Sequence, residues 1–331
     1  MKRAAASPFP ERRANVGADD ERGRRDVNGR TESVRFESLD ERALTVREAA
    51  ACAALARHEV RFSVGRSTIA VRFSRASAAA AFADRFGDMP ATRAADLTVY
   101  AVVNDRGAFF WRTPEHVRCW PRDLDDALLV FFADNFAMHE YLSSGTALGL
   151  HAAVIASASH LIALTGVSTA GKTTTALAAV GHGFTLYSDE RCIIDDGCVV
   201  SFLRAMTLRA GGRAALLAGS AIGDRLEPVL RALPAQDDVS LRPRTLAGAG
   251  AGGPARRLDA IFIIEGQAAQ PHVERREPLE ALPVIALSTI CRERGLERIA
   301  RLRREFGSIS VYGLQLGTPD DTVNAIAAAL R

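Results

Sequence analysis

Cysteine is scarce in this chain and what there is lies scattered: Cys52, Cys119, Cys192, Cys198 and Cys291 form no Cys-x-x-Cys pair. So few isolated thiols cannot build a disulfide framework, and they fit a reducing compartment. Apolar runs long enough to cross a membrane are missing too, and no apolar stretch follows the basic residues of the N-terminus. Neither membrane insertion nor secretion is therefore expected. Net charge is small, +3 over 331 residues, which removes any overall electrostatic case for nucleic acid or an anionic membrane as partner. What remains is the expectation of a soluble, cytoplasmic protein whose 48% hydrophobic content can fill one large core or two smaller ones.

Residues 1–45 interleave acids and arginines with hardly any apolar side chains, as in RRANVGADDERGRRDVNGR. Such a stretch cannot bury enough surface to offset its ordering entropy, and a disordered tail is expected. From residue 58 the pattern changes. EVRFSVG and STIAVRFS alternate around a Gly-Arg turn, ASAAAAFADRF follows with helical periodicity, and DLTVYAVVN meets GAFFWRT at a turn over Asn104 to Gly107. With a helix over LDDALLVFFADNFAMHEY they make a small α/β region, residues 58–140, with Trp111, Trp120, Phe131 and Phe132 assigned to its core.

A second α/β domain is expected over residues 147–331. It opens with two apolar runs, continues through a helix, a strand ending at Ser188, and a hairpin CIIDDGCVVSF closed by Asp195, Asp196 and Gly197. Cys192 and Cys198 fall on the two arms of that hairpin, but without a histidine cluster they suggest no zinc site. Residues 211–233 read as helical, and residues 247–255, AGAGAGGPA, as a low-complexity loop that serves either as a linker or as a lid. An apolar strand LDAIFIIEG, two helices, a strand SISVYGLQLG and a terminal helix capped by Thr318 complete the chain.

The second apolar run feeds the pattern G-x-x-x-x-G-K-S/T, met by Gly166, Gly171, Lys172 and Thr173. Each residue type has a physical reason there. The glycines let the backbone turn so that N–H groups of Val167, Ser168, Thr169, Ala170 and Thr174 can face phosphate oxygens. The helix that starts near Lys172 adds its positive dipole end. Lys172 can place an ammonium on the terminal phosphates of ATP, and the Thr173 hydroxyl can bind Mg2+, which takes oxygen ligands. A loop of this kind fixes only that a nucleotide binds; the reaction depends on what stands beside it. Asp189 and Glu190, seventeen and eighteen residues beyond Lys172 at the end of the next strand, are the candidates. One can take a proton from a hydroxyl nucleophile while the other supports the metal, and the spacing does not say which.

These motifs carry a resemblance. The run HAAVIASASHLIALTGVSTAGKTTTALAAVGHGFTLYSDERCIIDDG resembles the kinase domain of the HPr kinase/phosphorylase family. It is more similar still to stand-alone bacterial relatives, some of them encoded with lasso-peptide clusters. In that family a histidine precedes the first loop glycine by fifteen residues, the distance of His151 from Gly166, and an acidic pair follows the lysine at the spacing of Asp189 and Glu190. The resemblance implies an α/β P-loop kinase core of the HPr kinase and phosphoenolpyruvate carboxykinase fold, preceded by the small α/β region. It implies transfer of phosphate from ATP, with Mg2+, to a serine of a small protein or precursor peptide, and leaves an oligomer open. Catalysis would fall to Lys172, Asp189, Glu190 and His151, with metal at Thr173 and Asp189 and nucleotide along residues 166–174. The Glu-x-Arg-Gly segment of the bifunctional enzymes has no counterpart, RAMTLRAGG standing there instead, so phosphorylase activity and HPr itself as substrate do not carry over.

Arg209 is then the nearest candidate for a phosphate contact, with Arg242, Arg244, Arg256 and Arg257 flanking the Gly-Ala loop. Two alternatives stay open: an ordinary P-loop ATPase in which IFIIE brings Glu265 to the metal, and a non-catalytic nucleotide-binding regulator.

Overall fold

The computed structural model describes residues 22–25, 31–34, 39–222, 226–233, 238–247 and 251–331. It is a mixed α/β protein, with several sheets and ten helices among the described residues. Most of the expected N-terminal tail lies outside the described residues. Within it, β1 (Arg22–Arg25) pairs with β2 (Thr31–Val34). The tail expectation ends too late at its C-terminal side: β3 (Asp40–Arg42) joins a sheet, and Leu39 and Leu44 are buried. Two apolar side chains were enough, because a sheet edge was waiting for them.

The first unit continues with α1 (Val46–Leu55), β4 (His58–Val64), β5 (Ser67–Phe73), α2 (Ala76–Arg85), β6 (Leu97–Asn104), β7 (Gly107–Trp111), β8 (Val117–Trp120) and α3 (Asp126–Ser144). Its sheet runs β3-β8-β7-β6-β5-β4 and is antiparallel except at β5/β6. Strand β7 shows why both faces are covered. Ala108 and Phe110 point to the side of α2 and α3, Phe109 and Trp111 to the side of α1, and all four are buried. Trp111, Phe131 and Phe132 sit in the core as expected, while Trp120 is half-buried.

The second unit comprises β9 (Leu148–Leu150), β10 (Ala152–Ala156), β11 (Leu161–Gly166), α4 (Lys172–Gly181), β12 (Thr185–Ser188), β13 (Cys192–Asp195), β14 (Cys198–Val200) and β15 (Met206–Leu208), then α5 (Ala210–Gly219), α6 (Leu226–Ala232), β16 (Val239–Leu241), α7 (Pro243–Ala247), β17 (Ala260–Gln267), β18 (His272–Arg276), α8 (Pro278–Leu287), β19 (Thr289–Ile290), α9 (Gly295–Phe306), β20 (Ser310–Leu316) and α10 (Pro319–Ala329). The single helical stretch expected over residues 211–233 is α5 and α6, with residues 223–225 outside the described set. The expected hairpin is β13/β14, but Cys192 stands opposite Leu150 of β9 and not Cys198.

The main sheet is ordered β12-β10-β11-β17-β20-β18, with β11, β17 and β20 parallel and the outer pairings antiparallel. Its central strands read as unbroken apolar runs because both faces are buried. Ile162, Leu164, Phe262 and Ile264 face α4, α5, α6 and α10, whereas Ala163, Ile261 and Ile263 face α8, α9 and the small sheet β14-β13-β9-β19. The two units share a core. Ile193, Val200, Phe202 and Leu203 of the second pack among the first unit's aromatics, with the Phe86 and Phe202 rings 6.2 Å apart.

Candidate functional site

Strand β11 runs into the loop 166–171, which turns tightly into α4. Gly166 has φ 154° and Gly171 φ 105°, and a Cβ on Gly166 would lie 2.9 Å from the Ile264 carbonyl oxygen. Only glycine fits there without displacing β17. Thr169 also takes a left-handed conformation, φ 67°. No described side chain caps α4, so its first N–H groups face the loop at the positive end of the helix dipole. Lys172 is buried, and its Nζ donates to the carbonyl oxygens of Gly166 and Val167, 3.0 Å each, closing the loop over its own lysine.

Strand β12 ends beside that helix. The Thr173 hydroxyl donates to the Asp189 carboxylate, at 3.0 Å to Oδ1 and 3.1 Å to Oδ2. Burial raises the Asp189 pKa above its ordinary value, opposed by the Thr173 hydrogen bond and the charges of Arg204, Lys172 and Arg85. Glu190 follows in a left-handed conformation, φ 64°, unusual for a residue with a Cβ, and forms an ion pair with Arg204. The two acids differ in access: Asp189 is 3% exposed, the Glu190 side chain 35%.

His151 precedes β10, where its N–H donates to the Ser288 carbonyl and its carbonyl accepts from Thr165 Oγ1 at 2.9 Å. That bond ties the start of β10 to the end of β11. Burial first, then Lys172, Arg191 and Arg204, push the His151 pKa down to about 3, so the ring is neutral near pH 7.

Behind the acids lies a buried charged network absent from the sequence-based expectation. Asp134 of α3 is fully buried and accepts from Arg85 Nε at 2.7 Å and from Arg204. Burial opposes its charge, but Arg204, Arg85 and Arg191 outweigh it and hold the carboxyl below its ordinary pKa. Arg191 Nη2 donates to Asn135 Oδ1 at 2.6 Å. The available signal was the polar pair Asp134-Asn135 inside the apolar run LLVFFADNFAM, where a carboxylate has no reason to be unless it is paired.

The other arginines separate. Arg209 starts α5, whose Gly212 packs so closely on Thr174 that a Cβ would lie 2.5 Å from its hydroxyl; this arginine stays beside the loop helix. Arg242 is taken by Asp84, and Arg256 reaches the Ser157 carbonyl at 3.4 Å, after β10 and so at the sheet end opposite the loop. Arg257 is exposed. Of the Gly-Ala stretch, residues 248–250 lie outside the described set, while the Gly252 N–H donates to the Leu186 carbonyl at 2.7 Å, fastening the rest to β12. Glu265 lies at the end of β17, but its carboxylate accepts from Arg276 at 3.1 and 3.2 Å and is drawn toward β18. A surface cavity of about 430 Å³ lined by Asp40, Arg106, Phe109 and Trp120 belongs to the first unit's sheet and shares no residue with this site.

A tight glycine-bounded loop, a buried lysine, a threonine on a carboxylate and a second, accessible carboxylate stand side by side in this mixed α/β protein. No protein-family model matches the chain, and no curated protein matches it either.

Proposed function

We propose that the chain is an ATP-dependent serine kinase of the HPr kinase-like type, with the corresponding P-loop kinase core, acting on a small protein or peptide. The observation that carries this is the Thr173 hydroxyl on the Asp189 carboxylate, directly after the loop lysine. In the proposed site Thr173 and Asp189 present adjacent oxygen donors, which suit Mg2+, and the ion would neutralise charge on the phosphates. Lys172 exchanges its two loop carbonyls for phosphate oxygens. Asp189 is too buried to meet a serine on another chain, whereas Glu190 is accessible, so Glu190 orients the acceptor hydroxyl and takes its proton. The serine oxygen forms a bond to the γ-phosphorus as the bond to the β–γ bridging oxygen breaks, and ADP leaves. Because such transition states are loose, positioning counts for more than basicity, which a carboxylate beside a guanidinium can satisfy. The ATPase alternative with Glu265 is disfavoured by the Arg276 contact.

The test is binding and transfer. Calorimetry with MgADP and radiolabelled ATP with serine-containing peptides should show binding and phosphoserine formation, both lost in Lys172→Ala. Transfer that survives this substitution would rule the function out. Binding without transfer across many acceptors would favour a nucleotide-sensing regulator instead.

A further inference from the structure

We infer that Arg204 is a positioning residue for Glu190, anchored by Asp134 of α3, so that the first unit builds the acceptor side of the transfer site. The inference rests on the transfer reading above and assigns roles to residues outside its motifs.

The geometry is a chain of contacts across the two units. Arg204 is 3% exposed and gives one nitrogen to Asp134 and the other to Glu190. Arg85 of α2 donates to the same carboxylate oxygen of Asp134, Oδ2, at 2.7 Å, so the two guanidinium groups share one anchor. The backbone repeats the connection: the Ala205 N–H donates to the Arg85 carbonyl at 2.7 Å, and Phe202 sits in the first unit's aromatic core. A guanidinium seated this firmly has little freedom of its own, and its planar fork spans two carboxylates in a way an ammonium does not.

Glu190 needs such a hold. Its φ of 64° is unfavourable for a residue with a Cβ, and its side chain is the more exposed of the acidic pair. The strained turn is kept by backbone bonds, Ala152 N–H to the Glu190 carbonyl at 3.2 Å and Arg191 N–H to the Asp189 carbonyl at 2.9 Å. Those bonds fix where the side chain starts. Arg204 fixes where its carboxylate ends. Charge balance adds to the case. Lys172, Arg85, Arg191 and Arg204 converge with Asp134, Asp189 and Glu190, so removing Asp134 leaves buried guanidinium groups without compensation and frees Arg204 to move.

The test uses the full chain with MgADP for binding and MgATP with water as acceptor for turnover. Arg204→Lys and Asp134→Asn should bind MgADP within about threefold of the native chain, yet form ADP at least tenfold more slowly at saturating ATP, a loss in kcat and not in KM. Placed in a Glu190→Gln background, neither should slow the reaction further, since both act through Glu190; Arg204→Lys should retain more activity than Arg204→Met. An unchanged kcat in Arg204→Lys, or slowdowns that multiply in the Glu190→Gln background, would overturn the inference. Should Asp134→Asn fail to fold, Arg204→Lys, which keeps the buried charge, decides by the same criteria. A native chain that binds no MgADP, or that forms no ADP with either water or serine-containing peptides as acceptor, refutes the transfer reading itself, and shows it before any variant is compared.

Discussion

Lys172 stands apart at the residue scale because, with Lys2, it is one of only two lysines; the chain otherwise carries its positive charge on arginine. A compact ammonium fits between two carbonyl oxygens 3.0 Å away where a planar guanidinium does not. Lys172→Arg is therefore expected to lose MgADP affinity by at least tenfold while retaining its thermal transition, read by calorimetry and circular dichroism. Gly166→Ala meets both a φ of 154° and the Ile264 carbonyl 2.9 Å away, so it should cost about 1–3 kcal/mol in urea denaturation and weaken nucleotide binding. His151 makes a pH prediction. Its folded pKa of about 3 lies below the unfolded 6.5, so the unfolded chain binds the extra proton between those values. Stability should fall as pH drops from about 6.5 toward 3, by at most about 1.4 kcal/mol per unit from this group, and His151→Gln should flatten that slope between pH 7 and 5. The loop, the acids and His151 were legible in the sequence as neighbours because they stand at short spacings along the chain.

At the scale of elements, α3 shows what could not be read. Its run of Leu128 to Phe136 is apolar enough to be taken for core, and it is core: Leu129, Phe132 and Phe136 are buried. The same helix carries Asp134 into the charged network, because a helix buried all round has one side on the sheet and another on the site. That side is defined by arginines distant in the chain, Arg85 of α2 and Arg204, the latter seventy residues further along. Helix α2 is simpler. Phe82 is fully buried, with ring centroids 4.6 Å from Phe86 and 5.1 Å from Phe73, so Phe82→Ala should destabilise the protein by about 3–5 kcal/mol in a denaturant titration.

For the whole molecule, the shared core binds the two units into one folding problem. Phe202 and Leu203 belong to the second unit by sequence and to the first by packing. Residues 147–331 expressed alone would expose Ile193, Val200, Phe202 and Leu203 together with the buried charge of Arg204. That fragment is expected to bind a hydrophobic dye and to lack a cooperative unfolding transition, whereas the full chain should show one. A cooperative transition in the fragment would show that the units fold independently. The boundary near residue 146 marks a change in sheet and not a break in the core.

By itself the sequence determined the strands and helices whose periodicity is strong, the glycine-bounded loop, and the order His151, Lys172, Asp189 and Glu190 along it. Those are local facts, set by backbone sterics and by residue type at short spacing. Tertiary structure decided that Thr173 meets Asp189, that Glu265 turns to Arg276, and that the two acids are unequal, one buried and one reachable. It also decided that Asp134 and Arg204 stand behind Glu190. Charges so far apart in sequence come together only when burial leaves each no better partner than the other.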